Sequence, residues 1–482
     1  MGGFFMQKIR RNKFMATLLT LVMALSLLSV TAFAEEKTVT TAEELKNAIA
    51  DGNTITLGGS ITANIEIPTG ATVVLNLNGY TLTGETGVQD VVSNKGVLTV
   101  EGPGKIVAPK GGAIVNYPGA TAVLNGGEYN AEKWYTIKNM GDMEIYEGVS
   151  ISAETGSSSL IANGWYGDNA TDRGTTYGAN AANLTIHGGS FSGGMNTVKN
   201  DDYGVLEIKD GSFENTKGPT ILNWNETTIS GGNFSVPSGH VLAYGYLDDV
   251  ADKGQFTIKG GVFTSGNGGE DSLFGVGESN KEGGKVLIDG GQFSGKVYTQ
   301  ADYKAQIVVS QGTFASKVDT SLIDASKTAA SLTSGENTTY YIGNAESIAQ
   351  TLADAAKEGD SITVQQGNAS FAGIVAGVEV KNEGEGQVVV DDVSVEKGQS
   401  TTTTGSAGTE PEPEPESKPE SDRDEEEEFG KVEVGGTDSD SNNTDKDNPQ
   451  TGDDNGLELA IAAMLISAAG AATAFLFKQR KA

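Results

Sequence analysis

Leu184-Thr-Ile-His-Gly-Gly-Ser-Phe191 is the first of six versions of one phrase. Leu206-Glu-Ile-Lys-Asp-Gly-Ser-Phe213 and Thr228-Ile-Ser-Gly-Gly-Asn-Phe234 come next, then Phe256-Thr-Ile-Lys-Gly-Gly-Val-Phe263. Val286-Leu-Ile-Asp-Gly-Gly-Gln-Phe293 and Ile307-Val-Val-Ser-Gln-Gly-Thr-Phe314 close the series. Each is a short alternating strand, a glycine turn and an aromatic residue that opens the next strand. The phenylalanines lie 22, 21, 29, 30 and 21 residues apart. Strand, turn and strand repeating at that interval describe a stacked array in which each unit buries its apolar face against its neighbours.

A second repeat sets the type of array. Asn94, Asn116, Asn139, Asn163, Asn200 and Asn223 each end a short apolar, β-type run, as in Val91-Val-Ser-Asn94, Ile137-Lys-Asn139 and Ile221-Leu-Asn223. Their spacings are 22, 23, 24, 37 and 23. The 37 is one coil plus an insertion of about 14 residues, given a repeat of ~20–30 residues. Asparagine tolerates left-handed backbone angles and bonds its own backbone, so it suits a tight bend. Stacked once per coil, these amides are expected to hydrogen-bond along the stack as a ladder. With phenylalanine at a second fixed phase, the chain resembles the right-handed parallel β-helix of pectate-lyase-like surface proteins, over roughly 38–316. The fold class that this implies is mostly β: a solenoid, placed at 35–318, closed at its start by a short helix.

Both ends of the chain read as processing signals. Lys8, Arg10, Arg11 and Lys13 precede an apolar run, and Ala32-Phe33-Ala34 supplies small residues for a signal peptidase. Residues 1–34 are therefore expected to be a secretory leader, with Ala32 and Ala34 marking the cleavage site. At the other end, Asn448-Pro449-Gln450-Thr451-Gly452 precedes the largely apolar run 459–477 and then Lys478-Gln-Arg-Lys481. Such a run is long enough to span a bilayer as a helix, with the basic tail left on the cytoplasmic side. Together the three parts of 448–482 resemble the cell-wall sorting signal of Gram-positive bacteria. That resemblance implies a sortase that cuts between Thr451 and Gly452 and joins Thr451 to peptidoglycan, so that the membrane is touched only transiently. The family's commonest motif begins with leucine, so Asn448 leaves the sortase class open.

Composition narrows the chemistry. There are no cysteines and two histidines, His187 and His240, which excludes thiolate metal sites, cysteine nucleophiles and disulfides, and leaves too few histidines for a histidine cluster. The formal net charge of −31 argues against nucleic acid and anionic lipid as partners. No cofactor is implied. Calcium is compatible with so many aspartates, although no EF-hand or Gly-Gly-x-Gly-x-Asp run is present.

Taken in order, Thr41-Ala-Glu-Glu44 reads as a capping box, and Leu45, Ala48 and Ile49 form one apolar helical face that would plug the first coil. About eleven coils follow up to Phe314. The one large interruption, at 164–182, carries Trp165, Tyr166, Asp168, Asp172, Arg173 and Tyr177. Loops of that length on a rigid scaffold are often functional. After the solenoid, a helical pattern from Ala345 and the strand-like runs Asp360-Ser-Ile-Thr-Val364 and Gln387-Val-Val-Val390 predict a small α+β cap at 335–398. The segment 399–447 is expected from its composition to be a disordered acidic linker; 405–451 holds 16 acidic and 4 basic residues. Stretched through a cell wall, its ~47 residues reach at most ~160 Å.

Three readings of function follow. Tyr117, Trp165, Tyr203 and Trp224 fall one, two, three and one residues after ladder asparagines. If those bends stack, these four, with Tyr166 and Tyr177 of the insertion, line an edge suited to sugar rings, which offer apolar faces and polar rims. That pattern points to a wall-attached, surface-exposed adhesin for host or dietary glycan or mucin; equally, any of these rings could fill the core. A polysaccharide lyase or glycoside hydrolase is the alternative, because β-helices of the resembled family host both. Arg173 is the candidate base, and Asp201-Asp202 or Asp248-Asp249 the candidate carboxylate pair. Here Ile186-His187-Gly188 stands where galacturonase-like hydrolases carry Gly-His-Gly. The third reading is a structural spacer with no specific ligand.

Overall fold

The computed structural model describes residues 36–50, 53–86, 90–153, 158–164, 181–244, 254–266, 273–276, 285–297 and 307–405. Their strands coil into a right-handed parallel β-helix. Up to Val276 a turn typically lays down a first strand of four or five residues, a bend, a second strand, another bend and a three-residue third strand; in the last two rungs the first two strands run together as Lys285–Ser294 and Ile307–Phe314. One coil runs Thr121–Leu124, Gly127–Ala131, Ile137–Asn139; the next runs Asp142–Ile145, Val149–Ala153, Ile161–Asn163. Equivalent strands pair in parallel, residue on residue, and so make three parallel faces.

Alternation explains the first two faces. Thr-Ala-Val-Leu at 121–124 turns Ala122 and Leu124 inward and leaves Thr121 and Val123 toward solvent. The period of two in the sequence is thus the inside–outside period of the sheet. From Thr54–Leu57 to Ile307–Phe314 eleven such rungs stack on the first face among the described residues.

The six phenylalanines form one interior column. Successive rings from Phe191 to Phe314 stack with centroids 4.7, 4.7, 4.8, 4.9 and 4.9 Å apart, every ring buried. That interval is the spacing of adjacent β-strands, so the backbone sets the ring stack. Tyr129 and Ile151 continue the column in the preceding rungs. The glycine two residues before each phenylalanine is required. Gly232, for example, has φ +100, and a Cβ there would lie 3.3 Å from the Phe234 ring.

The asparagines form a second interior column, at the end of each third-face strand. All six are fully buried. Each Nδ2 donates to the Oδ1 of the next: 2.7 Å from Asn94 to Asn116, then 2.8, 2.8 and 2.8 Å, and 2.9 Å from Asn200 to Asn223. The second Nδ2 hydrogen of each goes to backbone carbonyls, Thr121 for Asn94 and Asp142 for Asn116. No amide in the ladder is left short, which is what makes a polar column affordable inside an apolar core. Asn163 pairs directly with Asn200, so the 37-residue interval is one rung with an excursion. Above Asn223 the position passes to Tyr244, and below Asn94 to Ile67.

Both ends of the stack are closed. Helix α1, Ala42–Ala50, buries Leu45, Ala48 and Ile49 against the first coil. Its start is a capping box: Glu44 Oε2 accepts from the Thr40 and Thr41 amides at 2.8 and 3.1 Å, and the Glu44 amide donates to Thr41 Oγ1. The Thr40 amide, more than any other partner, holds the Glu44 carboxyl below its ordinary range. At the far end, Asn337–Gly343 runs antiparallel to the last rung, with Phe314 opposite Tyr340, and covers what would be an open edge.

A second core follows, built on Thr328–Ser334, helix α2 (Ala345–Ala355) and the strands after it, the last of which, Ser400–Thr402, pairs with Glu379–Asn382 and so belongs to the cap and not to the linker expected from 399. Here Ser361–Gln366 pairs in parallel with Glu379–Asn382, and Ala369–Phe371 with Val388–Val390. The cap therefore holds a short parallel coil of its own. Buried Asn382 donates to the Gly386 and Val395 carbonyls and accepts from the Gly384 amide.

Candidate functional site

The third face departs from alternation. Its strands Ile114–Asn116, Ile137–Asn139, Ile161–Asn163, Val198–Asn200 and Ile221–Asn223 are buried at all three positions. The outward row therefore reads Val115, Lys138, Ala162, Lys199, Leu222 in register, with two lysines shielded among small and apolar side chains. A lysine is rarely buried unless paired.

The partner comes from the neighbouring row. From Asn116 onward, the residue after each ladder asparagine donates its amide to the asparagine carbonyl one rung below, which gives the sequence Tyr117, Met140, Gly164, Asp201, Trp224 along the axis. Asp201 is fully buried and receives both lysines: Lys199 Nζ lies 2.9 Å from Oδ1, and Lys138 Nζ 3.5 Å from Oδ2. These are charge contacts set off the line of a good hydrogen bond. Asp202, also fully buried, follows it. Burial pushes the Lys138 ammonium below the usual lysine range, against the opposing pull of Asp201. Lys199 Nζ sits 3.7 Å from the centre of the Trp224 ring, and Lys138 Nζ 5.1 Å from that of Tyr135. Gly164, at φ +102, makes the packing possible: a Cβ there would lie 2.6 Å from the Asp202 carbonyl.

This geometry revises the sequence-based site. Trp224 is 4% exposed, packs with Leu222 and Ala243, and has a lysine on its face, so it offers no free ring to a sugar. Asp201 and Asp202 form no open carboxylate pair, because both are fully buried. Tyr117 and Tyr203 are half-buried; Lys95 Nζ lies 5.5 Å from the Tyr117 ring centre, and Tyr203 occupies a left-handed turn at φ +60. Tyr117 and Trp224 share a row with three residues between them, about 19 Å apart at ~4.8 Å per rung. They do not meet in one platform. Trp165, Tyr166, Arg173, Tyr177, Asp248 and Asp249 lie outside the described residues. So do Ala32, Ala34, the motif from Asn448 to Gly452 and the apolar run 459–477.

Two features went unread in the sequence. Trp134, at a bend before the third face, is 57% exposed, and Met195, two rungs on at the equivalent bend, is 48% exposed. His187 stacks flat on Tyr146 at 4.3 Å, and both reach Glu144: the Tyr146 hydroxyl donates to Oε2 at 2.6 Å, and His187 Nε2 lies 3.1 Å from the same oxygen. Burial first, then the bond to Glu144, pushes the Tyr146 phenol up to about 12.

No protein-family model matches this chain, and no curated protein or solved structure shows significant similarity to it. Among the described residues no group of three or more carboxylates and histidines is placed to hold a metal ion, and no helix is long and apolar enough to cross a membrane.

Proposed function

We propose that this chain is a secreted surface protein, joined by a sortase through Thr451 to the peptidoglycan of a Gram-positive cell wall, whose β-helix is displayed to bind host or dietary glycan or mucin. The sorting-signal pattern of 448–482 supports the anchoring. A capped rod ahead of an acidic linker suits display, since the rod keeps its shape while the linker sets its reach.

The exposed Trp134 carries the binding half of the reading. It stands on the same bend row as Met195, about 10 Å away at ~4.8 Å per rung. An indole on an otherwise polar bend costs solvation in the free protein, and a pyranose face laid on it recovers that loss. Burial of Asp201 and Asp202 removes one of the carboxylate pairs on which hydrolysis would rest.

Two measurements test the parts separately. Thr451→Ala is expected to move the protein from the wall fraction to the membrane and medium; wall attachment unchanged by it would end the anchoring reading. In a glycan and mucin screen, Trp134→Ala is expected to weaken binding at least about tenfold, as for the loss of a central aromatic contact. Equal binding by both proteins, or none by the parent, would end the glycan reading.

A further inference from the structure

The Lys138, Lys199, Asp201 and Asp202 cluster is larger than the fold requires. Leu222 and Ala243 fill equivalent outward positions higher on the same face with apolar side chains. Ionised side chains lose hydration in such a place, and mutual attraction restores it only where every charge is well hydrogen-bonded. Here Asp201 meets both ammonium groups in off-line contacts. The arrangement holds the parts of a reaction.

We propose that Lys138 and Asp201 condense without any added enzyme into an intramolecular isopeptide bond, joining Lys138 Nζ to the Asp201 side-chain carbonyl carbon across two rungs of the helix.

The placement of the groups supplies each role. Transfer of one proton within the Lys138–Asp201 ion pair gives a carboxylic acid and a neutral amine, the form that burial favours for Lys138. The amine, 3.5 Å from Oδ2, then attacks Asp201 Cγ, with the approach already set by three stacked strands. Negative charge develops on Oδ1, the oxygen that faces the Lys199 ammonium at 2.9 Å. Lys199 is kept in place by the Trp224 ring on its other side. The proton released from Nζ passes to the departing Oδ2, which lies 3.5 Å from it. One C–N bond forms, one C–O bond breaks, and Oδ2 leaves as water. No oxidant or cofactor enters. The product replaces a buried ion pair with a neutral amide, and water that leaves a closed site does not readily return to reverse the step.

The bond would close a loop of 64 residues, counted from 138 to 201, and that loop contains the insertion. It would therefore staple the rod at the one place where 37 residues separate consecutive ladder asparagines. This inference is independent of what the surface binds.

The test is mass spectrometry of the purified, folded protein. Condensation in near-attack geometry is expected to leave it one water, about 18 Da, lighter than its sequence mass. A tryptic digest is expected to yield a branched peptide linking the Lys138 and Asp201 segments, with no cleavage after Lys138. Lys138→Arg and Asp201→Ala are each expected to restore the full mass, and circular dichroism would show whether they keep the β-helix. A wild-type protein at full sequence mass overturns the proposal. So does a mass deficit that persists in Lys138→Arg, since the bond would then lie elsewhere.

Discussion

Asn139→Ala is expected to lower the unfolding free energy by about 3–5 kcal/mol, far more than an average substitution. In the folded chain its Nδ2 donates to Asn163 Oδ1 at 2.8 Å and to the Asn183 carbonyl at 3.0 Å. Its Oδ1 accepts from Asn116 Nδ2 at 2.8 Å and from the Gly141 amide at 3.2 Å. Alanine leaves a donor below and an acceptor above with one partner fewer, in a column that is fully buried. Each such loss costs about 1–3 kcal/mol, and the Asp142 carbonyl retained by Asn116 limits the total. Asn94→Ala is the internal control. It stands at the foot of the ladder, where no asparagine lies below it, so roughly half the cost is expected. Denaturant titration of both variants decides the matter; equal costs, or less than about 1 kcal/mol for Asn139, would mean that the ladder is a consequence of stacking and contributes little to it.

The columns were legible because a solenoid writes its geometry into the chain once per turn. A residue that must stack on its own kind returns at the coil period, and phenylalanine and asparagine return at two distinct phases. Even the irregular interval between Asn163 and Asn200 kept its phase, since Ala182–Ile186 takes the next place on the first face and Asn200 the next place in the ladder. The end caps were legible for a different reason. A helix that plugs a coil needs one apolar stripe, and Leu45, Ala48 and Ile49 have the helical spacing for it. The short coil inside the C-terminal cap was harder to see, because a repeat written only twice has no period to measure.

The site was less legible than the fold, and the reason is physical. Alternation tells inside from outside only while outside means solvent. On the third face the outward residues are themselves buried, so Lys138 and Lys199 have the pattern of ordinary surface lysines in strands too short to show otherwise. The usable sign was positional: both lysines precede a ladder asparagine, and the second is followed by Asp201-Asp202. Trp224 misled in the opposite way. Its offset from Asn223 matches that of Tyr117 from Asn116, which gives the right row, but an offset cannot say how many rungs intervene or what lies on the ring.

Phe234→Ala is expected to cost about 3–5 kcal/mol, the usual range for removing a buried phenylalanine. The ring sits between Phe213 at 4.7 Å and Phe263 at 4.8 Å, nearly parallel to both. Collapse cannot relieve the cavity, because Phe213 and Phe263 belong to strands that pair with Asn233–Val236 on either side and are held at the strand interval. Gly232 cannot fill the space either, for it has no side chain and its φ of +100 resists one. The loss should also be local. Each rung contacts chiefly its two neighbours, so stability is close to a sum of rung and interface terms, and a cut interface separates the stack into weaker halves. Hydrogen exchange should then show amides of Ser212–Glu214 and Val262–Ser265 losing protection while those of Val97–Glu101 keep theirs. Uniform loss along the whole rod would contradict this, and would mean that the two interior columns couple the rungs into a single cooperative unit.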